Sequence, residues 1–143
     1  MSTRSLTRIN EGEFKYINMY RQFDGYPSNH GKKLFEFLKN IKLLDVINTH
    51  ELEGKTANGP GCLAAQLVAH FKQHFNGIYL LPTELFDCGQ EYEYVLTIKD
   101  DVLQVTVFYD DPSVPPLFEG TLQEFGVWCN KDDVEEEECD LAF

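Results

Sequence analysis

The segment EYEYVLTIKDDVLQVTVFY, residues 91–109, decides the fold class because it predicts a β-hairpin. Residues 91–99 follow the period-two pattern of a half-buried strand. In that pattern Tyr92, Tyr94, Leu96 and Ile98 alternate with Glu91, Glu93, Val95 and Thr97. Asp100 and Asp101 predict a tight turn, and residues 102–109 predict the return strand. The chain is therefore expected to contain an antiparallel sheet.

A second hairpin is predicted at the N-terminus, with strands over residues 3–9 and 14–21. The segment NEGE, residues 10–13, predicts the turn because glycine tolerates a positive φ angle. In such a hairpin Arg4 and Arg21 lie near the open end and can point to the same side. A third, short strand is predicted at residues 78–81, where Pro82 stops it.

Helices are predicted over residues 31–41, 61–75 and 121–129 from apolar residues at helical spacing. Residues 43–47 predict either a continuation of the first helix or a short separate one, and residues 48–59 a polar loop. We therefore expect a single α+β domain over residues 1–130. Its antiparallel sheet would consist of two hairpins and a short strand, with two or three helices on one face. Residues 131–143 are predicted to be an acidic, disordered tail.

The chain of 143 residues carries a net charge of −12, which disfavours direct binding to a nucleic-acid backbone. Residues 132–140 contribute −7 and leave only −5 for the rest of the chain. No apolar run is long enough to cross a membrane, and the N-terminus lacks the apolar core of a signal peptide. The expectation is a cytoplasmic protein. The four cysteines match no zinc spacing, so free thiols and no cofactor are predicted.

Three features of residues 58–74 suggest chemistry, each with a simpler structural alternative. His70 and His74 are four residues apart on a predicted helix, but no third metal ligand is evident, so no metal is predicted. Cys62 begins a helix, where a thiolate is favoured, and His30 or His70 would serve as its base in an enzyme. The alternative is that Cys62 is a small buried residue with no chemical role. The turn containing Asn58 and Gly61 offers free N–H groups that can bind an anion.

The segment MYRQFDGYPSNHG, residues 19–31, holds more polar and aromatic groups than a turn requires. It contains Tyr20, Arg21, Asp24, Tyr26 and His30. Arginine binds phosphate or carboxylate through two parallel hydrogen bonds, and a tyrosine ring stacks on a base. The alternative is a turn shaped by Gly25 and Pro27, and the two interpretations are compatible.

Blocks of this sequence resemble a family of small, mostly uncharacterised proteins of bacteriophages and bacteria. The resemblance covers about residues 1–95. It is carried by MSTRSLT (1–7), MYRQFDGYPSNHGKKLFEFL (19–38), NGPGCLAAQLVAHFK (58–72), GIYL (77–80) and DCGQEYEY (87–94). It implies no established activity, and the acidic tail lies outside it. A phage origin would imply sequestration of a host signalling nucleotide or direct blocking of a host defence protein.

These observations lead to three functional expectations. The first is a binding module for a small anionic or nucleotide-like ligand. Its set of binding residues would come from the turn, from the open end of the N-terminal hairpin and from the start of the second predicted helix. That set is Arg4, Tyr20, Arg21, Asp24, Tyr26, His30, Asn58, Gly61 and Cys62. The second is an acidic inhibitor that binds a host defence protein or nuclease. The third, less favoured, is a small enzyme that uses Cys62 or His30.

Overall fold

The computed structural model describes residues 3–44 and 56–141, and for residues 44 and 132–141 it describes the backbone alone. The predicted central hairpin is present, with β6 at Tyr92–Lys99 and β7 at Val102–Tyr109. Asp100 and Asp101 both adopt left-handed backbone angles, with φ of 51° and 60°. Two such residues in succession match the right-handed twist of the strands that they connect.

Six strands form the main sheet, in the order β5-β2-β1-β6-β7-β8. The N-terminal hairpin consists of β1 (Ser5–Glu11) and β2 (Phe14–Arg21), and the edges are β5 (Ile78–Leu80) and β8 (Phe118–Thr121). All neighbours are antiparallel except β1 and β6, which are parallel. The α+β class is confirmed, and the sheet has more strands than the two hairpins and short strand that were predicted.

Three helices pack on one face of this sheet. They are α1 (Lys32–Leu38), which follows a single π-helical turn at Pro27–Gly31, α2 (Gly59–Phe71) and α3 (Leu122–Leu141). Their buried side chains meet the inward residues of the strands in one core that contains Ile9, Met19, Leu34, Leu63, Leu67, Leu96, Val105 and Phe125. α3 begins with a reciprocal cap in which Thr121 and Glu124 each accept the other's backbone N–H.

The two longer helices end at different places from those that the sequence predicted. α2 ends at Phe71 because Lys72 leaves helical geometry and its ammonium group donates to the carbonyl oxygens of Phe75 and Ile78. Phe75, the last residue of the helix predicted over residues 61–75, lies beyond the end of α2 and is 90% exposed. α3 continues past Cys129 to Leu141. The division of the chain at residue 131 and the disorder of the tail stay predictions.

A small second sheet replaces part of the segment that was predicted as helix and loop. β3 (Lys42–Leu44) pairs in parallel with β4 (Thr56–Asn58), and Gly59, the last residue of the predicted loop, begins α2. Residues 45–47 of the predicted 43–47 element and residues 48–55 of the predicted loop lie outside the described residues. No helix of the described chain is long and apolar enough to span a membrane.

The second face of the main sheet is covered by residues 81–90 without a helix. The buried Arg8 guanidinium holds this segment, since it donates to the carbonyl oxygens of Thr83 and Leu85 and pairs with Glu93 at 3.0 Å. Asn18 adds two further hydrogen bonds, to the carbonyl oxygens of Pro82 and Leu85. This segment therefore buries the second face around β1 and the start of β6, whereas Val102 and Gln104 on the same face of β7 are exposed.

Candidate functional site

The chain reverses after β2, and close contacts at Gly25 fix this turn. The Gly25 amide donates to the Thr3 carbonyl oxygen at 2.8 Å, and its carbonyl accepts from the Tyr94 hydroxyl at 2.8 Å. A Cβ at position 25 would lie 2.7 Å from the Ser5 side chain and 2.9 Å from the Thr3 oxygen, so glycine is required. The turn is thus anchored to β1, and the π-helical turn after it buries His30.

His30 is completely buried between the sheet and the helices. Its Nε2 lies 2.8 Å from Thr7 Oγ1 and its Nδ1 lies 3.1 Å from Arg21 Nη1. Because a guanidinium can only donate, Nδ1 must accept and the hydrogen must be on Nε2, which donates to Thr7. Burial, followed by the charges of Arg21 and Lys33, lowers the pKa of His30 to about 3. His30 is therefore a neutral imidazole whose two nitrogens are both engaged.

The Arg21 guanidinium is fixed by three acceptors. Besides His30, its Nε donates to the Phe23 carbonyl oxygen at 2.6 Å, and Nη2 lies 3.5 Å from Asn29 Oδ1. Burial lowers the pKa of Arg21, and the nearby Asp24 acts in the opposite direction. The side chain remains a cation held in one orientation at the wall of a cavity.

That cavity lies between the end of β2, α1 and the chain that follows α2, and its volume is about 370 Å³. It is lined by Arg21, Phe23, Lys33, His70, Phe71, Gln73, His74, Asn76, Gly77 and Ile78. Two rings are available to a ligand at its wall. Phe23 is 47% exposed, and the exposed His70 ring stacks on Phe37 at 4.7 Å. The site thus combines fixed hydrogen-bond donors with apolar surface, as ligand sites generally do.

The electrostatic character of the cavity is opposite to that of the chain. Its lining includes the cations Arg21 and Lys33 and the imidazoles of His70 and His74, and none of the described lining residues is acidic. In a protein with a net charge of −12, a positive cavity is a local feature and not a consequence of composition. Chemically, this arrangement can bind a small anion.

The structure brings four of the predicted ligand residues into one region. Arg21 lines the cavity, and His30 supports it from behind. Asp24 and Tyr26 are close enough to Arg21 to influence its pKa, although neither lines the cavity. Asp24 adopts a φ of 59° at the exposed turn. The predicted cluster is thus partly reproduced in space, and each member's part in binding stays a prediction.

Arg4 and Tyr20 are on the other side of the sheet. Tyr20 precedes Arg21 on β2, and neighbouring strand residues point to opposite faces. Its ring lies 6.2 Å from that of Tyr79, away from the cavity. The Arg4 guanidinium lies beside Gly89 in the segment that covers this second face. The expectation that Arg4 and Arg21 point to the same side is therefore wrong.

Asn58, Gly61 and Cys62 are at the other end of α2 from the cavity. Eight residues separate Cys62 from His70, a rise of about 12 Å in an α-helix. Gln66 donates to the Cys62 sulfur at 3.6 Å, and the partly buried Cys62 packs against the core. The Gly61 helix start therefore does not contribute N–H groups to the Arg21 cavity.

Several lining residues were not identified from the sequence. Phe23 and Lys33 lie within the quoted block at residues 19–38 but were not among the predicted ligand residues, and neither were Gln73 and Asn76. The turn, the start of α1 and the chain after α2 bring these four residues to the cavity. The sequence suggested a metal pair for His70 and His74, and for His70 also the role of a base for Cys62, but no role in anion binding for either. His74 lies beyond the end of α2, and the described residues contain no group of three metal-ligating side chains.

Comparison with family models, curated proteins and solved structures gives no match to this chain.

Proposed function

We propose that this chain is a binding module for a small anionic, nucleotide-like ligand, and that the cavity at Arg21 is its site. One observation carries the proposal: an immobilised guanidinium lines a cavity that has a second cation and no acidic residue in its described lining. Preorganised donors reduce the entropy that binding must offset. Phe23 and His70 supply surfaces on which a planar group can stack.

The resemblance to phage and bacterial proteins extends this proposal to a biological role. In the cytoplasm of an infected host, such a module would act as a counter-defence protein that sequesters a nucleotide immune signal. Sequestration requires tight binding without turnover. The neutral, fully engaged His30 agrees with this requirement, because neither of its nitrogens is available to accept a proton from a ligand.

A thermal-shift screen tests the proposal with inorganic phosphate, nucleotides and cyclic nucleotides as probes. A ligand present at 100 times its dissociation constant is expected to stabilise the fold by about 2.7 kcal/mol. Arg21→Lys keeps the charge but loses the fixed fork, and we expect it to weaken binding at least about tenfold. If no anion stabilises the native chain, the proposal is wrong.

Arg4→Ala is the matched control for Arg21. It removes an arginine that the sequence placed in the same site and the structure places beside Gly89. Unchanged affinity in Arg4→Ala and reduced affinity in Arg21→Lys would locate binding at the cavity. Recovery of unmodified ligand after heat denaturation would identify a sequestering protein, whereas a changed mass would support an enzyme.

The alternative proposal is an acidic inhibitor that binds a host defence protein or nuclease directly. It is favoured by the helical backbone of α3 through Leu141, which spans an acidic segment that contributes −7. A helix presents charges at a regular spacing, as a partner with a basic groove would require. Deleting residues 131–143 separates the two proposals. If the acidic segment binds a partner, the deletion should abolish inhibition, whereas the thermal shift caused by a ligand in the Arg21 cavity should be unchanged.

A further inference from the structure

The charges of the Arg21 cavity are specific enough to define the class of anion that it would accept. A guanidinium has five N–H donors. Contacts with Phe23, His30 and Asn29 use three of these donors, one on each nitrogen. Among the described residues, this leaves one donor on each of the two terminal nitrogens. Two donors on one planar group match two oxygen atoms of a single anion.

Lys33 supplies a second positive charge to the same cavity. It lies on the first turn of α1, lines the cavity, and is close enough to His30 for its charge to contribute to the low pKa of that imidazole. Lys39, the residue that directly follows α1, pairs with Glu36 at 2.6 Å, whereas Lys33 forms no salt bridge with any described residue. Its ammonium group is therefore available to a ligand.

Resting on the proposed function, we propose that the cavity recognises the terminal phosphate of a phosphomonoester and discriminates against phosphodiesters. A phosphomonoester carries a charge of about −1.5 to −2 near neutral pH and three acceptor oxygens. This negative charge matches the two positive charges of Arg21 and Lys33, and the oxygens can accept from both side chains. A diester carries one charge and two free oxygens, so it leaves one cation without a counter-charge.

The size of the cavity agrees with a ligand that has one phosphate and one ring. Its volume of about 370 Å³ lies near the lower end of the roughly 300–1,000 Å³ range of small-molecule sites. The exposed Phe23 ring borders the same space as the two cations. A nucleoside monophosphate would place its phosphate at Arg21 and Lys33 and its base against this ring.

The test compares adenosine 5′-monophosphate with adenosine 3′,5′-cyclic monophosphate, which share the base and ribose. Isothermal titration at constant ionic strength should show about tenfold tighter binding of the monoester. Phenyl phosphate tests whether the nucleoside contributes to affinity, because this compound retains only a ring and a phosphomonoester. Equal or tighter binding of the cyclic ester would overturn the inference but leave the proposed function intact. If no nucleotide or phosphate binds, the proposed function itself fails.

Lys33→Ala identifies the source of the discrimination. It should weaken binding of the monoester by about fivefold to tenfold and leave the cyclic ester nearly unchanged, since the latter needs only Arg21. Lys99→Ala, an exposed lysine at the end of the β6–β7 hairpin, is the matched control and should change neither affinity. An equal loss for both esters in Lys33→Ala would contradict the inference.

Discussion

At the scale of single residues, the buried His30 is the unusual group of this protein. It accepts a hydrogen bond from a cation and donates one to a hydroxyl, and this double engagement fixes both its tautomer and the orientation of Arg21. A protonated imidazole would lose the acceptor at Nδ1 and would place two positive charges in contact. The neutral form is thus part of how the cavity is built.

This arrangement predicts that acid destabilises the protein through His30. The folded-state pKa is about 3, below the ordinary value of 6.5, so the unfolded chain binds a proton more readily between these values. Stability is therefore complete above about pH 6.5 and is lost as the pH falls towards 3. Between about pH 7.5 and pH 5.5 the loss should be about 1.4 kcal/mol.

Denaturant unfolding of the native protein and His30→Gln at both pH values measures this effect. Contributions from carboxyl groups are common to both proteins and cancel in the difference. We expect His30→Gln to be less stable at the higher pH and to lose about 1.4 kcal/mol less on acidification. Parallel pH dependence in the two proteins would show that burial does not lower the pKa of His30.

The sequence allowed Arg21 and His30 to be singled out because they exceed what the turn needs. It did not show which face of β2 each residue occupies, because the apolar alternation of this strand is weak. Tyr20 and Arg4 were therefore grouped with Arg21, although strand geometry separates them. Lys33 was missed because a lysine on a short helix is common, and only its position beside His30 distinguishes it.

At the scale of elements, glycines determine how closely neighbouring segments approach. Gly25 lets the turn contact β1, and Gly31 lies where a Cβ would be 2.8 Å from the Cys129 sulfur of α3. These contacts hold the turn against β1 and the π-helical turn against α3. The positions of Arg21 and Lys33 at one cavity therefore depend on backbone proximity that no larger residue allows.

Gly25→Ala should destabilise the fold by about 1–3 kcal/mol, because the added methyl group overlaps Ser5 and the backbone of Thr3. Gly61→Ala is the comparison. Its Cβ would meet only the Tyr16 ring at 3.9 Å, and alanine favours the helix, so stability should be unchanged or higher. Thermal denaturation of both variants checks this, and equal effects would show that the Gly25 contact is not tight.

The extents of the elements were predictable where local signals were strong. β2 and β7 have the predicted bounds because a glycine turn and an Asp-Asp turn mark their ends. The end of α2 was misplaced because Lys72 forms hydrogen bonds with residues beyond the helix, which periodicity does not reveal. The parallel β3–β4 pair was missed, since its strands have three residues each and are distant in sequence.

At the scale of the whole molecule, a buried ion pair joins the two halves of the chain. Arg8 on β1 pairs with Glu93 on β6, and both side chains are almost fully buried. The same guanidinium holds residues 81–90 over the second face of the sheet, with the Phe86 ring 4.9 Å away. Loss of one partner would leave the other as an isolated buried charge.

Arg8→Met should therefore lower the free energy of unfolding by about 3–5 kcal/mol. The double variant Arg8→Met/Glu93→Leu should be more stable than the sum of its single changes predicts, because neither charge remains unpaired. Lys39→Ala breaks the exposed pair with Glu36 and should cost less than about 1 kcal/mol. Additive effects of Arg8→Met and Glu93→Leu would contradict the coupling.

The parallel pairing of β1 with β6 also constrains the time course of folding. Register partners such as Thr7 and Tyr94 are separated by most of the chain, so the central pair of strands closes a long loop and is expected to form slowly. During synthesis, the N-terminal hairpin emerges long before its partner. Until the second hairpin leaves the ribosome, one strand edge of the N-terminal hairpin remains unpaired, and this edge exposes the nascent chain to aggregation.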